Sequence, residues 1–362
     1  MKKYTYIFLL AVIFFGACGE DTPVIEEPEV QYDSTVYEFN YGHLPEPELP
    51  ADNILTQQGV ELGRMLFYET MLSRDNSQSC AGCHNQADAF TDTLRFSIGV
   101  EDLPGKRQAM SVFNMAWHKN AFFWDGRAEL LRDQAILPIQ DPLEMNETLE
   151  NVISKLSNEK TYQDQFKRAF VDGEITIDNM ALALEQFMLS IVSYDSKYDR
   201  YLNGDATLTE SEERGRQLYF TEYNPFFPEL SGADCAHCHG GLNFENDLYM
   251  NNGLDTDAEF VDMGREMVTM NPMDRAKFKV PSLRNIELTP PYMHDGRFNT
   301  LEEVIDHYNE GIKESSTVDP AILNTKATSL FLTEQDKVDL LNFLKTLTDY
   351  TFLNNEEYSS PF

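Results

Sequence analysis

The chain has 362 residues, 42% hydrophobic and 25% charged, enough to bury a large core and to hold two domains. Its 28 basic and 61 acidic residues leave a net charge of −33. That balance excludes nucleic-acid binding, which needs basic patches, and suits steering of a basic partner. The first residues read as an export segment outside the fold. Lys2 and Lys3 precede an apolar run from Tyr6 to Phe15, short for a bilayer span. Gly16-Ala17-Cys18 follows and resembles a bacterial lipobox, in which residues 1–17 are a signal peptide and Cys18 becomes the lipidated N-terminus. Phe15 stands where such boxes more often carry Leu. An ordinary secretory signal with Cys18 incidental is the alternative. Both readings place the mature chain in the periplasm or cell envelope, and the first anchors it to the membrane as a lipoprotein. Residues 18–44 are acidic and proline-containing and read as a flexible tether. The globular part is expected from Pro45.

Cys80-Ala81-Gly82-Cys83-His84 and Cys235-Ala236-His237-Cys238-His239 both read C-x-x-C-H. This is the attachment signature of a c-type haem. Two cysteines at this spacing reach the two vinyl groups of one porphyrin, and the next histidine becomes an axial ligand of the iron. A redox C-x-x-C pair or a zinc site is the competing reading. Two copies, each with its histidine and without a third thiol pair, speak against it; the fifth cysteine is Cys18. Two covalently bound haem c groups are therefore expected, on Cys80, Cys83, His84 and on Cys235, Cys238, His239.

The chain repeats itself around these motifs. Gly63-Arg64 recurs as Gly215-Arg216, Ser111-x-x-Asn114 as Ser282-x-x-Asn285, and Trp124-Asp125-Gly126-Arg127 as His294-Asp295-Gly296-Arg297, in the same order. Duplication of one haem module explains this. The expected fold is mainly α, with two cytochrome-c-like helical haem domains, 45–206 and 207–352, packed with their haems facing a shared interface. Capping boxes at Thr209-x-x-Glu212 and Thr300-x-x-Glu303 each open a helix, and Met180 to Ile191 reads as a buried helix. Leu301, Val304, Ile305 and Tyr308 make one apolar helix face that ends at Gly311. Residues 242–280, rich in Asn, Asp and Met, read as an irregular loop wrapping a haem edge.

Over residues 45–350 the chain resembles the bacterial di-haem cytochrome c peroxidase and MauG family. The resemblance rests on Phe123-Trp124-Asp125-Gly126-Arg127, then Gln134, Pro138 and Glu144, then Pro281-Ser282-Leu283-Arg284-Asn285 and Pro291-Tyr292-Met293-His294-Asp295-Gly296. It implies an N-terminal haem that meets H2O2 and a C-terminal haem that takes electrons from a donor such as a small c-type cytochrome. It implies Trp124 between them as the electron route, with a packed core aromatic as the plain alternative. Glu144 would be the acid–base carboxylate and Gln134 a distal amide; outside this context Glu144 is an ordinary surface acid. The resemblance also implies Ca²⁺ between the domains, with Thr289 and Pro291 as carbonyl donors and Gln108 where the family more often has Asn. Family members are often dimers, a state that no feature of this sequence specifies.

Two departures bear on function. Residues 85–117 contain no histidine, so the second histidine that caps the resting N-terminal haem in many relatives is missing, and His118 falls later. An open or water-filled sixth site is expected. At the C-terminal haem, Tyr308 stands fourteen positions after His294, where the better-known peroxidases carry Met and MauG-type relatives carry Tyr. A buried core tyrosine, with Met293 or a Met of the 250–273 loop as ligand, is the alternative. Tyrosinate favours Fe(III) and a thioether favours Fe(II). The leading expectation is peroxide reduction. A MauG-type oxidase acting on a protein or small organic substrate comes second, and a non-enzymatic electron carrier third, since a carrier needs no distal acid.

Overall fold

The computed structural model describes Met1 and residues 29–362. The signal segment, the lipobox and Cys18 lie outside the described residues. The N-terminal half contains α1 (Gln57–Tyr68), α2 (Cys80–Cys83), α3 (Leu131–Gln140), α4 (Leu149–Ser157), α5 (Lys160–Ala169) and α6 (Ile177–Ser190). The C-terminal half contains α7 (Lys197–Leu202), α8 (Glu210–Phe220), α9 (Glu266–Thr269), α10 (Leu301–Glu310), α11 (Pro320–Leu323) and α12 (Glu334–Lys345). The described sheet is one antiparallel pair, β1 (Tyr249–Met250) with β2 (Phe278–Lys279), inside the long loop. The mainly helical expectation is met.

The helices start where short polar side chains can accept the orphan N–H groups of a first turn. Thr56 and Thr176 cap α1 and α6 in this way. Reciprocal capping boxes, Thr209 with Glu212, Thr300 with Glu303 and Thr333 with Asp336, open α8, α10 and α12.

Each half is built on one helix crossing, α1 on α6 and α8 on α12. The repeated glycine is the point of contact. A Cβ on Gly63 would lie 1.9 Å from the Ala183 carbonyl oxygen, and one on Gly215 would lie 1.9 Å from that of Asp339. Phe187 and Phe343 flank the two crossings in the same way. The short sequence repeat therefore has a steric cause: only glycine lets the two backbones approach this closely. Around the crossings sit two apolar cores, one with Phe67, Phe90 and Phe187, the other with Tyr219, Phe244 and Phe343.

Three boundaries differ from expectation. The globular unit begins at Gln31, not Pro45. The Tyr37 N–H bonds the Leu55 carbonyl at 3.0 Å and the Gln57 N–H bonds that of Thr35 at 2.9 Å, so the end of the expected tether is pinned by backbone pairing that its composition does not reveal. Helix α7 belongs to the C-terminal core through Tyr198, although it precedes residue 207. Its Asp199 forms a buried two-pronged pair with Arg284, at 2.8 and 2.9 Å. Finally, the chain past α12 returns to the N-terminal core. Phe352 packs on Phe90 and Phe113, and the Tyr68 hydroxyl donates to the Tyr358 carbonyl at 2.7 Å. The two halves form one contact unit.

Gly63→Ala and Gly215→Ala should each cost about 1–3 kcal/mol by overpacking and lower the thermal midpoint. Gly105→Ala, whose nearest new neighbour would be 3.6 Å away, should leave the midpoint unchanged in the same unfolding scan.

Candidate haem sites and the bridge between them

The two C-x-x-C-H motifs fold alike. In both halves the motif histidine turns Nδ1 to a backbone carbonyl: His84 to Phe90 at 3.0 Å, His239 to Phe244 at 3.2 Å and to Pro281 at 3.0 Å. An Nδ1–H committed to a carbonyl leaves Nε2 as the nitrogen that can offer a lone pair to iron. Burial pushes both imidazoles down, His239 to about 4, so both are neutral at physiological pH. The thiols move the other way. Burial, with a smaller push from its partner Cys83, raises Cys80 to about 12; burial also raises Cys235 and Cys238 to about 12. A redox C-x-x-C pair needs a lowered thiol pKa, so this environment is wrong for one. Paired neutral thiols beside a neutral imidazole, against an apolar wall, fit a haem c in each half.

Cys235, Cys238 and His239 line one cavity with Tyr308, Met293 and Met250. Burial pushes the Tyr308 phenol up to about 12. In the N-terminal half, Glu144 lies close enough to Cys80 and Cys83 to raise both thiols. Its backbone is held in the turn after α3: its N–H bonds the Asp141 carbonyl at 3.0 Å and its carbonyl accepts from Val100 at 2.8 Å. Burial first, and Asp141 second, push its carboxyl up to about 7 against the opposing pull of Arg127. Gln134 and Pro138 are one turn apart on α3, both half-buried.

The halves share a register. Helix α3 begins seven residues after Trp124 and α10 begins seven after His294, and both are ten residues long. Pro138 therefore occupies in one half the position of Tyr308 in the other. A proline ring has no atom that can ligate iron.

Trp124 is 9% exposed and packs with Phe278, Ala276, Met110 and Phe260. It lines the C-terminal cavity on one side and a cavity between the halves on the other. Its indole N–H donates to the Gln108 carbonyl at 2.8 Å. The Gln108 N–H donates to the His294 carbonyl at 2.9 Å, and the Lys279 N–H donates to the Trp124 carbonyl at 2.7 Å. In the repeat, Gln108 matches Lys279 and Trp124 matches His294, so the two halves exchange equivalent bonds. Arg95 and Arg265 repeat the pattern one residue on, donating to the carbonyls of Asp295 and Asp125.

Known proteins resemble this chain along most of its length. The family described as di-haem cytochrome c peroxidase matches residues 57–207. The chain is 34% identical to the methylamine utilization protein MauG of Methylorubrum extorquens over 301 residues, 82% of this chain and 80% of that protein. The chain belongs to the di-haem cytochrome c peroxidase family. It is 38% identical to the cytochrome c551 peroxidase of Nitrosomonas europaea over 249 residues, 68% of this chain and 71% of that one. A crystal structure of a MauG-like protein associated with microbial copper homeostasis superposes with a TM-score of 0.78 at 33% identity, covering 91% of this chain and 99% of the other. Family membership implies two haems and an oxidoreductase.

Other expected residues gather at the junction of the halves. Gln108, Thr289 and Pro291 line one cavity of about 90 Å³. The Gln108 amide nitrogen donates to the Thr91 hydroxyl at 2.9 Å, so a cation there would meet the amide oxygen. His118 turns to the C-terminal half, with Nδ1 3.5 Å from Glu245 and 3.8 Å from Asp247. Sequence reasoning missed two residues. Lys279 is fully buried, its ammonium bonded to the Asn120 carbonyl, and burial lowers its pKa to about 8 although Asp247 and Glu245 oppose the shift. Asn252 points into the C-terminal cavity. The repeat register could have found Lys279; nothing in the sequence marks Asn252.

Proposed function

We propose that this exported enzyme reduces hydrogen peroxide to water. An external donor such as a small c-type cytochrome would supply two electrons, one at a time, to the C-terminal haem, and Trp124 would relay them to the N-terminal haem. The observation that carries the reading is the pairing of Glu144 with Pro138 around the N-terminal motif: an acid–base group is present where a ligating side chain is not. Haem c, when bound, supplies an iron that exchanges single electrons and meets peroxide. The protein's part is proton handling and orientation. Glu144, near 7, takes a proton from one peroxide oxygen and returns it to the other, and Gln134 orients the substrate. With two electrons and two protons, two waters leave. Trp124, gripped at its indole N–H and its carbonyl, would offer a π-system held at the wall of the C-terminal cavity and at the junction of the halves.

In this reading Cys80 and Cys83, and Cys235 and Cys238, hold their haems by thioethers. His84 and His239 would offer Nε2 to the two irons, and Tyr308 would be the second side chain toward the C-terminal one. Gln108, Thr289 and Pro291 hold Ca²⁺, and Cys18 anchors the chain to the envelope. A second reading, a MauG-type oxidase acting on a protein or organic substrate, is favoured by Tyr308 and by the absence of histidine from 85 to 117.

The test is steady-state H2O2 turnover with reduced cytochrome c. Rapid turnover is expected; none would leave the oxidase reading. Because Glu144 must be deprotonated to accept a proton, kcat/KM for peroxide should rise as pH rises through about 7. Glu144→Gln should abolish that limb and lower the rate by ~10²–10⁴-fold. Electron paramagnetic resonance of the oxidised protein should show a high-spin N-terminal haem, and a purely low-spin signal would refute the open site. The mass of the denatured chain should include two haems, and that of Cys235→Ser/Cys238→Ser only one.

A further inference from the structure

The Asn251-Asn252-Gly253 turn after β1 is built as a fixture against the 313–319 loop and α10. The Asn251 amide donates to the hydroxyls of Ser315 and Thr317, both at 3.0 Å, and its side-chain oxygen accepts from the Gly253 N–H at 2.9 Å. The Asn251 carbonyl accepts from Asp319 at 3.0 Å and that of Gly253 from Lys313 at 2.8 Å. Gly253 has φ +70°, and a Cβ there would lie 2.8 Å from Ile312. The Asn252 carbonyl lies 3.0 Å from Nε2 of His307, the residue before Tyr308. The turn is thereby tied to the helix that carries the phenol.

None of these bonds uses the Asn252 side chain. Its amide nitrogen instead faces two groups in the cavity of His239: it donates to the Met293 sulfur at 3.2 Å and to the Tyr308 oxygen at 3.4 Å. Tyr308 and Met293 are two of the cavity's three candidate sixth ligands for the C-terminal haem; the third, Met250, faces the Cys238 sulfur at 3.3 Å instead.

We propose that Asn252 is the positioning residue that selects Tyr308 over Met293 as that ligand, an inference that rests on the haem reading given above. The chemistry is asymmetric. An amide N–H forms a strong, charge-assisted bond to a phenolate oxygen, whereas a thioether sulfur is a weak acceptor. Once the phenolate is at the iron, the amide stabilises it there and holds Met293 to the side. The same N–H draws electron density from the oxygen and moderates the pull of tyrosinate toward Fe(III). No bond is made or broken in the protein apart from the phenol proton, which leaves to solvent when the haem is ligated.

The test uses the haem-loaded Asn252→Leu variant, which keeps every bond of the turn and removes the donor. Three readings are taken: resonance Raman of the iron–phenolate mode, the sulfur-to-iron absorption band, and the midpoint potential of the C-terminal haem. The expected result is loss of the phenolate mode, gain of the sulfur band and a more positive potential, with the sulfur band removed again in Asn252→Leu/Met293→Leu. A retained phenolate mode overturns the selection, whether the potential is unchanged or has moved negative. Asn252→Ser, with a shorter and weaker donor, should fall between wild type and Asn252→Leu, and it decides the question if the leucine variant does not fold. Tyr308→Phe separates the two failures. If its oxidised spectrum equals wild type, Tyr308 is no ligand and the underlying reading fails. If that spectrum changes while Asn252→Leu keeps the phenolate mode, only the role of Asn252 fails.

Discussion

Two peptide N–H groups cross between the halves, from Gln108 to the His294 carbonyl and from Lys279 to the Trp124 carbonyl. The rest of the structure depends on this exchange. Each bond joins a strand-like segment of one module to the Asp-Gly-Arg loop of the other, and all four residues are buried. Breaking either bond while its groups stay buried would strand a donor and an acceptor, at a cost of about 1–3 kcal/mol for each. Two equivalent bonds, related by the internal duplication, hold the separation of the halves better than a flexible linker would.

The exchange also explains why the modules are alike in backbone and unlike in chemistry. Equivalent positions carry Trp124 and His294, Gln108 and Lys279, Pro138 and Tyr308. Backbone pairing tolerates any side chain, so the duplicated scaffold could diverge where side chains reach a haem cavity. An indole fills the junction on one side. On the other, His294 stacks on Phe278 with ring centroids 3.6 Å apart, and burial lowers its pKa to about 4. Inside a very acidic chain the carboxylates beside the bridge are held by arginine: Arg107 pairs with Asp125 and Asp262 at 2.6 and 2.7 Å. Burying such groups is costly unless every one is matched, and here bonded pairs surround the bridge.

Much of the site was legible before any coordinates. The spacing of Cys80, Cys83 and His84 is a local signature that is legible whatever the fold, and the second copy marks a second candidate site. The repeated Gly63 and Gly215 could be seen but not explained, because the carbonyls they avoid belong to Ala183 and Asp339, more than a hundred residues away. Tyr308 could be counted from His294, yet its shared neighbour with Met293 could not be found. The amide that faces both comes from a loop whose composition shows only that it is irregular.

The sequence by itself determined the two attachment motifs, the duplication, the capped helices and the family, because each is written in residues close together along the chain. Tertiary structure alone decided where the globular unit begins, which core owns α7 and the C-terminal tail, what His118 faces, and which amide stands beside Tyr308. These depend on pairings between segments far apart in sequence, whose energies come from burial and from polar groups that must find a partner once water is removed.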